Sequence, residues 1–208
     1  FAACFFDRFF GGSREFSRFH GKRNVDFAVA QAHIFGDASG KEKDVLQDHG
    51  DMAAQADCYY ALVARLAEVP QVDIVGHFDL ITKFDEPHTR YPIVPPSARA
   101  AMERLVRAGK IFEINTGDAD PAEPLLRLLR EMDGKILFTA DAHRACDVAF
   151  GYAEAVALAR RCGFDTFWRL TEEGFVPAPL HRALTKKHHD RPGSQIAAGV
   201  ACCYVVKL

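Results

Sequence analysis

Short apolar segments with the composition of β-strands alternate with segments of helical periodicity through most of this chain. The strand-like segments lie near residues 25–32, 72–76, 110–114 and 135–139, and helical segments separate them. Parallel strands need a long crossover, usually a helix, whereas antiparallel strands can be joined by a tight turn. The alternation therefore predicts βαβ units, one parallel sheet and the α/β fold class, in the form of a partial parallel barrel.

Capping residues and loop composition predict where the helices begin. Ser97 follows two prolines and is the expected N-cap of the helix after the second strand. Asp147 is the expected N-cap of the helix after the fourth strand. Residues 36–53 are polar and rich in Gly, Asp and Lys, a composition that predicts a surface loop.

Polar side chains lie at or just after the end of each predicted strand. They are His33, His77, Asp79, Glu113, Asn115, Asp141 and His143. In parallel α/β folds the C-terminal strand ends share one rim, so these distant positions are expected to converge. Imidazole nitrogens and carboxylate oxygens are ligands of divalent transition metals. An isolated Asp-x-His is more often a turn cap beside a surface histidine, but the recurrence predicts a metal-bearing or otherwise catalytic rim.

The composition is that of a single globular domain with flanking segments. The chain has 208 residues, 49% of them hydrophobic, which is enough to bury a sizeable core. Residues 1–24 are rich in Phe without a clean period and are expected to form an irregular flank. Residues 25–180 carry the α/β pattern, and residues 181–208 are expected to be an atypical C-terminal tail. Because the chain starts with Phe1, we expect an N-terminal part to be missing.

The charge and cysteine pattern exclude several classes of protein. A formal net charge of −2 provides no basic field for nucleic acid. No apolar run reaches the length of about 18 residues that a membrane span requires. The six cysteines include no Cys-x-x-Cys motif, which favours reduced thiols in a cytoplasmic protein. The expected partners are a small-molecule substrate and, through residues 1–24, further copies of the chain.

Several motifs in this order resemble the PHP-domain histidinol-phosphatases. They are Gly-His-Phe-Asp within residues 73–84, Phe-Glu-Ile-Asn-Thr-Gly at 112–117 and Thr-Ala-Asp-Ala-His at 139–143, followed by Phe-Gly-Tyr-Ala-Glu at 150–154. The resemblance covers roughly residues 24–180. It implies a distorted (β/α)7 barrel that holds two or three divalent metal ions, Zn, Mn or Fe, at its C-terminal rim. It also implies hydrolysis of a phosphate monoester, L-histidinol phosphate, in histidine biosynthesis.

The resemblance and the residue chemistry together nominate site residues. The expected metal ligands are His33, His77, Asp141 and His143. Asp141, His143 and His77 are the expected catalytic residues, because metal-held groups activate water and neutralise phosphoryl oxygens. The expected substrate-binding residues are three cations that can pair with phosphate, together with an amide: Lys83, Arg90, Arg144 and Asn115.

Two alternatives to this phosphatase remain open from the sequence. The family's opening His-x-His motif does not occur in the chain, so impaired metal binding and turnover are expected. One alternative is another metal-dependent hydrolase of the same barrel, such as an amidohydrolase-type deaminase or a nucleic-acid phosphoesterase. The other is a non-catalytic, truncated fragment.

Overall fold

The part of the chain that the structure describes contains one parallel sheet, two antiparallel hairpins and four α-helices. The structure, a computed structural model, describes residues 29–30, 34–36, 39, 42–44, 51–82, 92–117, 121–142, 144, 147 and 149–180. In chain order the strands are β1 (Val29–Ala30), β2 (Ile34–Gly36), β3 (Glu42–Asp44), β4 (Ile74–Val75), β5 (Ile111–Asn115), β6 (Lys135–Thr139), β7 (Thr166–Thr171) and β8 (Gly174–Pro179). The helices are α1 (Met52–Ala64), α2 (Pro96–Arg107), α3 (Glu123–Glu131) and α4 (Tyr152–Arg161).

The four predicted strands form one sheet, and all of its pairings are parallel. The strand order is β1-β4-β5-β6, with Val29 opposite Ile74 and Ile74 opposite Ile111. The longest ladder joins β5 to β6, from Ile111 opposite Lys135 to Asn115 opposite Thr139. Each strand lies within or next to its predicted segment, so the parallel α/β arrangement is confirmed. All C-terminal strand ends consequently lie at one edge of the sheet.

The two faces of the sheet bury different sets of residues. On one face, alternate residues such as Phe112, Ile114 and Phe138 join a large apolar core with the four helices. On the other face Ile74, Ile111 and Leu137 form a smaller cluster, against which residues of the β7–β8 hairpin pack. Because side chains alternate along a strand, Glu113, Asn115 and Thr139 share this second face, nearer the C-terminal edge. The second face is thus apolar at one end and polar at the other.

Helix α3 shows how periodicity fixes the packing of these helices. Its four leucines, Leu125, Leu126, Leu128 and Leu129, are all buried in the large core. Gly134 lies directly against Leu129, where a Cβ would collide with the leucine side chain. The tight turn between α3 and β6 therefore depends on the absence of a side chain at this position.

The predicted N-caps of α2 and α4 are wrong. Helix α2 begins one residue before Ser97, with Pro96 in its first turn, and no side chain caps it. Proline suits this place because the missing N–H would have had no helical partner. Helix α4 begins at Tyr152, with Gly151 as its N-cap residue. Asp147 precedes that position and accepts hydrogen bonds from Arg144.

Two antiparallel hairpins accompany the parallel sheet in the described part of the chain. Strand β3 and the last residue of its partner β2 lie in the stretch predicted as a loop, so the prediction for residues 36–53 is wrong in part. Strands β7 and β8 pair along their full length, and β7 lies beside β6. The Lys135 ammonium lies 4.4 Å from the centre of the Trp168 ring, which joins the hairpin to the sheet. Within the described residues, no helix combines the length and apolar character needed to span a membrane.

Candidate active site at the C-terminal edge of the sheet

His77 lies in a strained turn just beyond β4. Its φ is +48°, in the left-handed region that residues other than glycine rarely adopt. The peptide groups on both sides are held: the His77 N–H donates to Glu113 Oε2 at 3.1 Å, and the Tyr59 hydroxyl donates to the His77 carbonyl at 2.7 Å. Strain of this kind persists where neighbouring contacts enforce it and is concentrated at functional sites. The imidazole itself is almost fully buried.

Asp141 lies in the equivalent place beyond β6, and it too has a left-handed backbone. Its φ is +42°, and 20% of its side chain is exposed. The Asp141 Oδ2 atom lies 3.6 Å from His77 Nε2. Two strand ends that are separated by 64 residues in the numbering therefore present an imidazole and a carboxylate to the same point. Convergence of these two predicted site residues is what the parallel topology required.

The separation of these two atoms fits a shared divalent cation. It exceeds the usual length of an N–H···O hydrogen bond, about 2.7–3.2 Å. Zn²⁺ binds imidazole nitrogen at about 2.0–2.1 Å and carboxylate oxygen at about 2.0–2.2 Å, so two tetrahedral ligands lie about 3.4 Å apart. The observed 3.6 Å is close to that value. The donor types and their spacing thus suit a transition metal, and the same pair can form an ion pair when the imidazole is protonated.

The described residues supply only part of the predicted ligand set. Within them, no group of three or more His, Cys, Asp and Glu side chains is placed to hold a metal ion. The other two predicted ligands, His33 and His143, lie outside the described residues. Their positions stay predictions from the sequence.

Glu113 lies in the middle of β5, the strand between the two strands that precede His77 and Asp141. Its side chain is buried, with one oxygen accepting from the His77 N–H and the other from the Thr139 hydroxyl. Sequence reasoning placed Glu113 at the rim without assigning it a role. The available signal was a charged residue inside a strand that is buried along its whole length. Such a residue requires hydrogen-bond partners, and here the partners belong to both neighbouring strand ends.

Asn115 ends β5 and Thr116 follows it, and both form hydrogen bonds at this edge of the sheet. The Asn115 side-chain oxygen accepts from the Gly117 N–H at 2.9 Å, closing a local turn. The Thr116 hydroxyl donates to the Phe150 carbonyl at 2.6 Å, and Gly151 lies directly against the Thr116 backbone. Asn115, nominated from the sequence as a substrate contact, thus lies at the predicted edge with its oxygen engaged in shaping the loop.

Of the three cations predicted to bind phosphate, Arg144 is among the residues that the structure describes. Arg144 is largely exposed and donates two hydrogen bonds to Asp147, with N···O distances of 2.7 and 3.3 Å. Hydrogen bonding to Asp147 raises the pKa of Arg144 above its usual value, so this group stays charged. Lys83 and Arg90 lie outside the described residues.

Asp79 is the other polar residue that sequence reasoning placed at the rim. It is buried, and its Oδ2 accepts from the Ala122 N–H at 2.9 Å, at the start of α3. Its backbone carbonyl accepts from both the N–H and the hydroxyl of Thr82, which closes the turn after His77. The observed contacts of Asp79 therefore tie the His77 loop to the neighbouring helix.

Comparison with known proteins finds a similarity to histidinol-phosphatases. No protein-family model matches the chain. A Deinococcus radiodurans protein named probable histidinol-phosphatase is 27% identical over 149 residues, which are 66% of this chain and 55% of that protein. The chain thus spans a little over half the length of this curated relative.

A solved structure shares the fold. The crystal structure of histidinol phosphate phosphatase from Lactococcus lactis subsp. lactis Il1403, complexed with zinc, L-histidinol and phosphate, superposes with a TM-score of 0.53. Identity is 18%, and the match covers 78% of this chain and 66% of that one. The resemblance to histidinol-phosphatases indicated by the sequence motifs is confirmed by these two similarities. Its α/β sheet is compatible with part of a barrel.

Proposed function

We propose that the protein is a metal-dependent phosphate monoester hydrolase that converts L-histidinol phosphate and water into L-histidinol and phosphate, a step of histidine biosynthesis. One observation carries the proposal: His77 Nε2 and Asp141 Oδ2 lie 3.6 Å apart, each on a left-handed backbone at a C-terminal strand end. The names of the relatives support the reaction, and the zinc, histidinol and phosphate of the Lactococcus structure support the ligand classes. A partial, distorted (β/α)7 barrel is part of this proposal.

His77 and Asp141 would hold the metal together with His33 and His143. The family site that the resemblance implies contains two or three ions of Zn, Mn or Fe, and imidazole with carboxylate suits each of them. A bound divalent cation supplies positive charge that polarises the phosphoryl group and lowers the pKa of water. Because no His-x-His motif occurs in the chain, we expect its ligand set to be incomplete and its turnover low.

The protein's own groups would prepare the site for the reaction. Hydrogen bonds at both His77 peptide groups fix the imidazole before substrate arrives, which lowers the reorganisation needed for catalysis. Near-complete burial of His77 keeps competing water from its ring. Lys83, Arg90 and Arg144 would attract the phosphate by charge. In the reaction a water oxygen bonds to phosphorus, the ester P–O bond breaks, and the alcohol oxygen leaves with a proton.

Phosphate release from a panel of substrates tests this proposal. The full chain is incubated with Zn²⁺, Mn²⁺ or Fe²⁺ and given L-histidinol phosphate, p-nitrophenyl phosphate, adenosine or single-stranded DNA. We expect phosphate from L-histidinol phosphate with the highest kcat/KM, and loss of that activity after treatment with EDTA. Deamination of adenosine or cleavage of DNA would support another hydrolase class. Absence of phosphate release with every metal, or full activity in EDTA, would overturn the proposal.

A further inference from the structure

Glu113 occupies an unusual place for a carboxylate. It lies inside β5, a strand whose five residues are all buried, and only 4% of its surface is exposed. Both of its side-chain oxygens accept hydrogen bonds, one from the His77 N–H and one from the Thr139 hydroxyl. An ionised carboxylate is an acceptor at both oxygens, so it satisfies this arrangement of two donors.

The two donors come from the ends of the two strands that flank β5. The His77 N–H lies two residues beyond β4, and Thr139 is the last residue of β6. Asp141 follows Thr139 by two residues. One side chain therefore connects the strand end that carries the imidazole to the strand end that carries the carboxylate.

The hydrogen bond from the His77 N–H to Glu113 holds a peptide group next to the strained backbone of His77. A left-handed backbone is unfavourable for an L-residue other than glycine, so the turn must be held by its surroundings. The Tyr59 hydroxyl holds the carbonyl side of His77, and Glu113 holds the N–H side. Removing Glu113 would leave the N–H side without this acceptor and free the imidazole to move relative to Asp141.

We propose that Glu113 is the positioning residue of this site: by bridging the His77 peptide and the Thr139 hydroxyl, it sets the separation of His77 Nε2 and Asp141 Oδ2 and thereby the affinity for a divalent cation. The last clause rests on the proposed function. Outer groups that orient metal ligands are commonly worth about 10- to 100-fold in metal affinity.

The first test uses the full chain without metal, so it does not depend on the phosphatase proposal. Amide hydrogen exchange is measured by NMR for the wild type, Glu113→Ala and Glu113→Gln. In Glu113→Ala the His77 amide should exchange at least about tenfold faster, because its acceptor is gone. The Ile111 amide donates to the Asp73 carbonyl at the other end of β5 and serves as the control that should not change.

The conservative variant separates hydrogen bonding from general disruption. A glutamine at position 113 can accept from the His77 N–H through its oxygen and donate to the Thr139 oxygen through its amide. We therefore expect Glu113→Gln to restore protection of the His77 amide to within about twofold of the wild type. Equal exchange rates at His77 in wild type and Glu113→Ala, or an unprotected His77 amide in Glu113→Gln, would overturn the proposal.

A second pair of variants covers the case in which Glu113→Ala fails to fold. Thr139→Val removes the hydroxyl at nearly constant shape, whereas Thr139→Ser keeps it. Faster exchange at His77 in Thr139→Val and a wild-type rate in Thr139→Ser support the bridge. Wild-type rates in both variants would overturn it.

The effect of Glu113 on Zn²⁺ affinity is measured by competition between the protein and a fluorescent Zn²⁺ chelator. Affinity should fall by about 10- to 100-fold in Glu113→Ala and recover in Glu113→Gln. If the wild-type protein binds no Zn²⁺, the proposed function fails, while the amide measurements still decide the role of Glu113. Unchanged Zn²⁺ affinity in Glu113→Ala would overturn the positioning role.

Discussion

Gly151→Ala should destabilise the protein far more than the same change at a glycine with the same backbone. Gly151 has φ +72°, and Gly109, at the end of α2, has φ +75°. A Cβ on Gly109 would meet nothing within 4 Å, so alanine there bears only the left-handed strain, about 1–2 kcal/mol. A Cβ on Gly151 would lie 2.9 Å from the Thr116 carbonyl carbon and closer still to its oxygen. Because backbone cannot rotate away as a side chain can, the collision adds about 1–3 kcal/mol.

Urea unfolding of the two variants followed by circular dichroism measures this difference. With the collision term, Gly151→Ala should lose about 2–5 kcal/mol of unfolding free energy and Gly109→Ala about 1–2. At a slope of about 2 kcal/mol per molar urea, the two midpoints would differ by about 0.5–1.5 M. Equal midpoints would refute the close approach of α4 to the loop after β5, and with it the packing that shapes this side of the site.

Three further outcomes follow from the structure. Asp141→Asn should lower kcat/KM for L-histidinol phosphate by at least about 100-fold, since even outer groups are worth about 10- to 100-fold in metal affinity. Asp133→Asn is the control, because Asp133 is exposed and also has a left-handed backbone, and this variant should keep the wild-type kcat/KM. Similar kcat/KM values in both variants would contradict the assignment of Asp141 as a metal ligand. Lys110→Met should lower the unfolding free energy by about 1–3 kcal/mol, because the buried ammonium donates to two carbonyls at 2.6 and 2.7 Å; a urea midpoint equal to wild type would refute this. Burial raises the pKa of Cys162, so its alkylation should begin at higher pH than that of a free cysteine; labelling at the free-cysteine pH would refute burial of the thiol.

The parallel sheet was predictable because its signal is local and repeated. Four apolar segments separated by helices leave few topologies, and the rule that strand ends share one edge brought His77 and Asp141 together in advance. The β7–β8 hairpin was missed because Pro177 and Pro179 interrupt its second strand, and proline is tolerated only where no ladder N–H is required. Helix α2 was misjudged at its start because a proline can open a helix without a capping side chain.

The role of Glu113 depends on contacts that no sequence pattern contains. Its position in a strand that is buried along its whole length showed that it needed partners, but which donors would reach it depended on the register between β5 and its neighbours. The left-handed turn at His77 was equally hidden, since glycine is the residue that usually adopts such a backbone and the glycine here, Gly76, lies one position earlier. These features arise from the tertiary arrangement of strand ends.

Anomalous diffraction at the zinc edge, from crystals of the full chain grown with Zn²⁺, would show whether His77 and Asp141 hold a metal ion. We expect a zinc peak at the C-terminal edge of the sheet, at roughly 2.0–2.2 Å from both His77 Nε2 and Asp141 Oδ2. Absence of a peak at that edge, or zinc bound only at the His188-His189 pair of the tail, would contradict a metal-dependent phosphatase site in this protein.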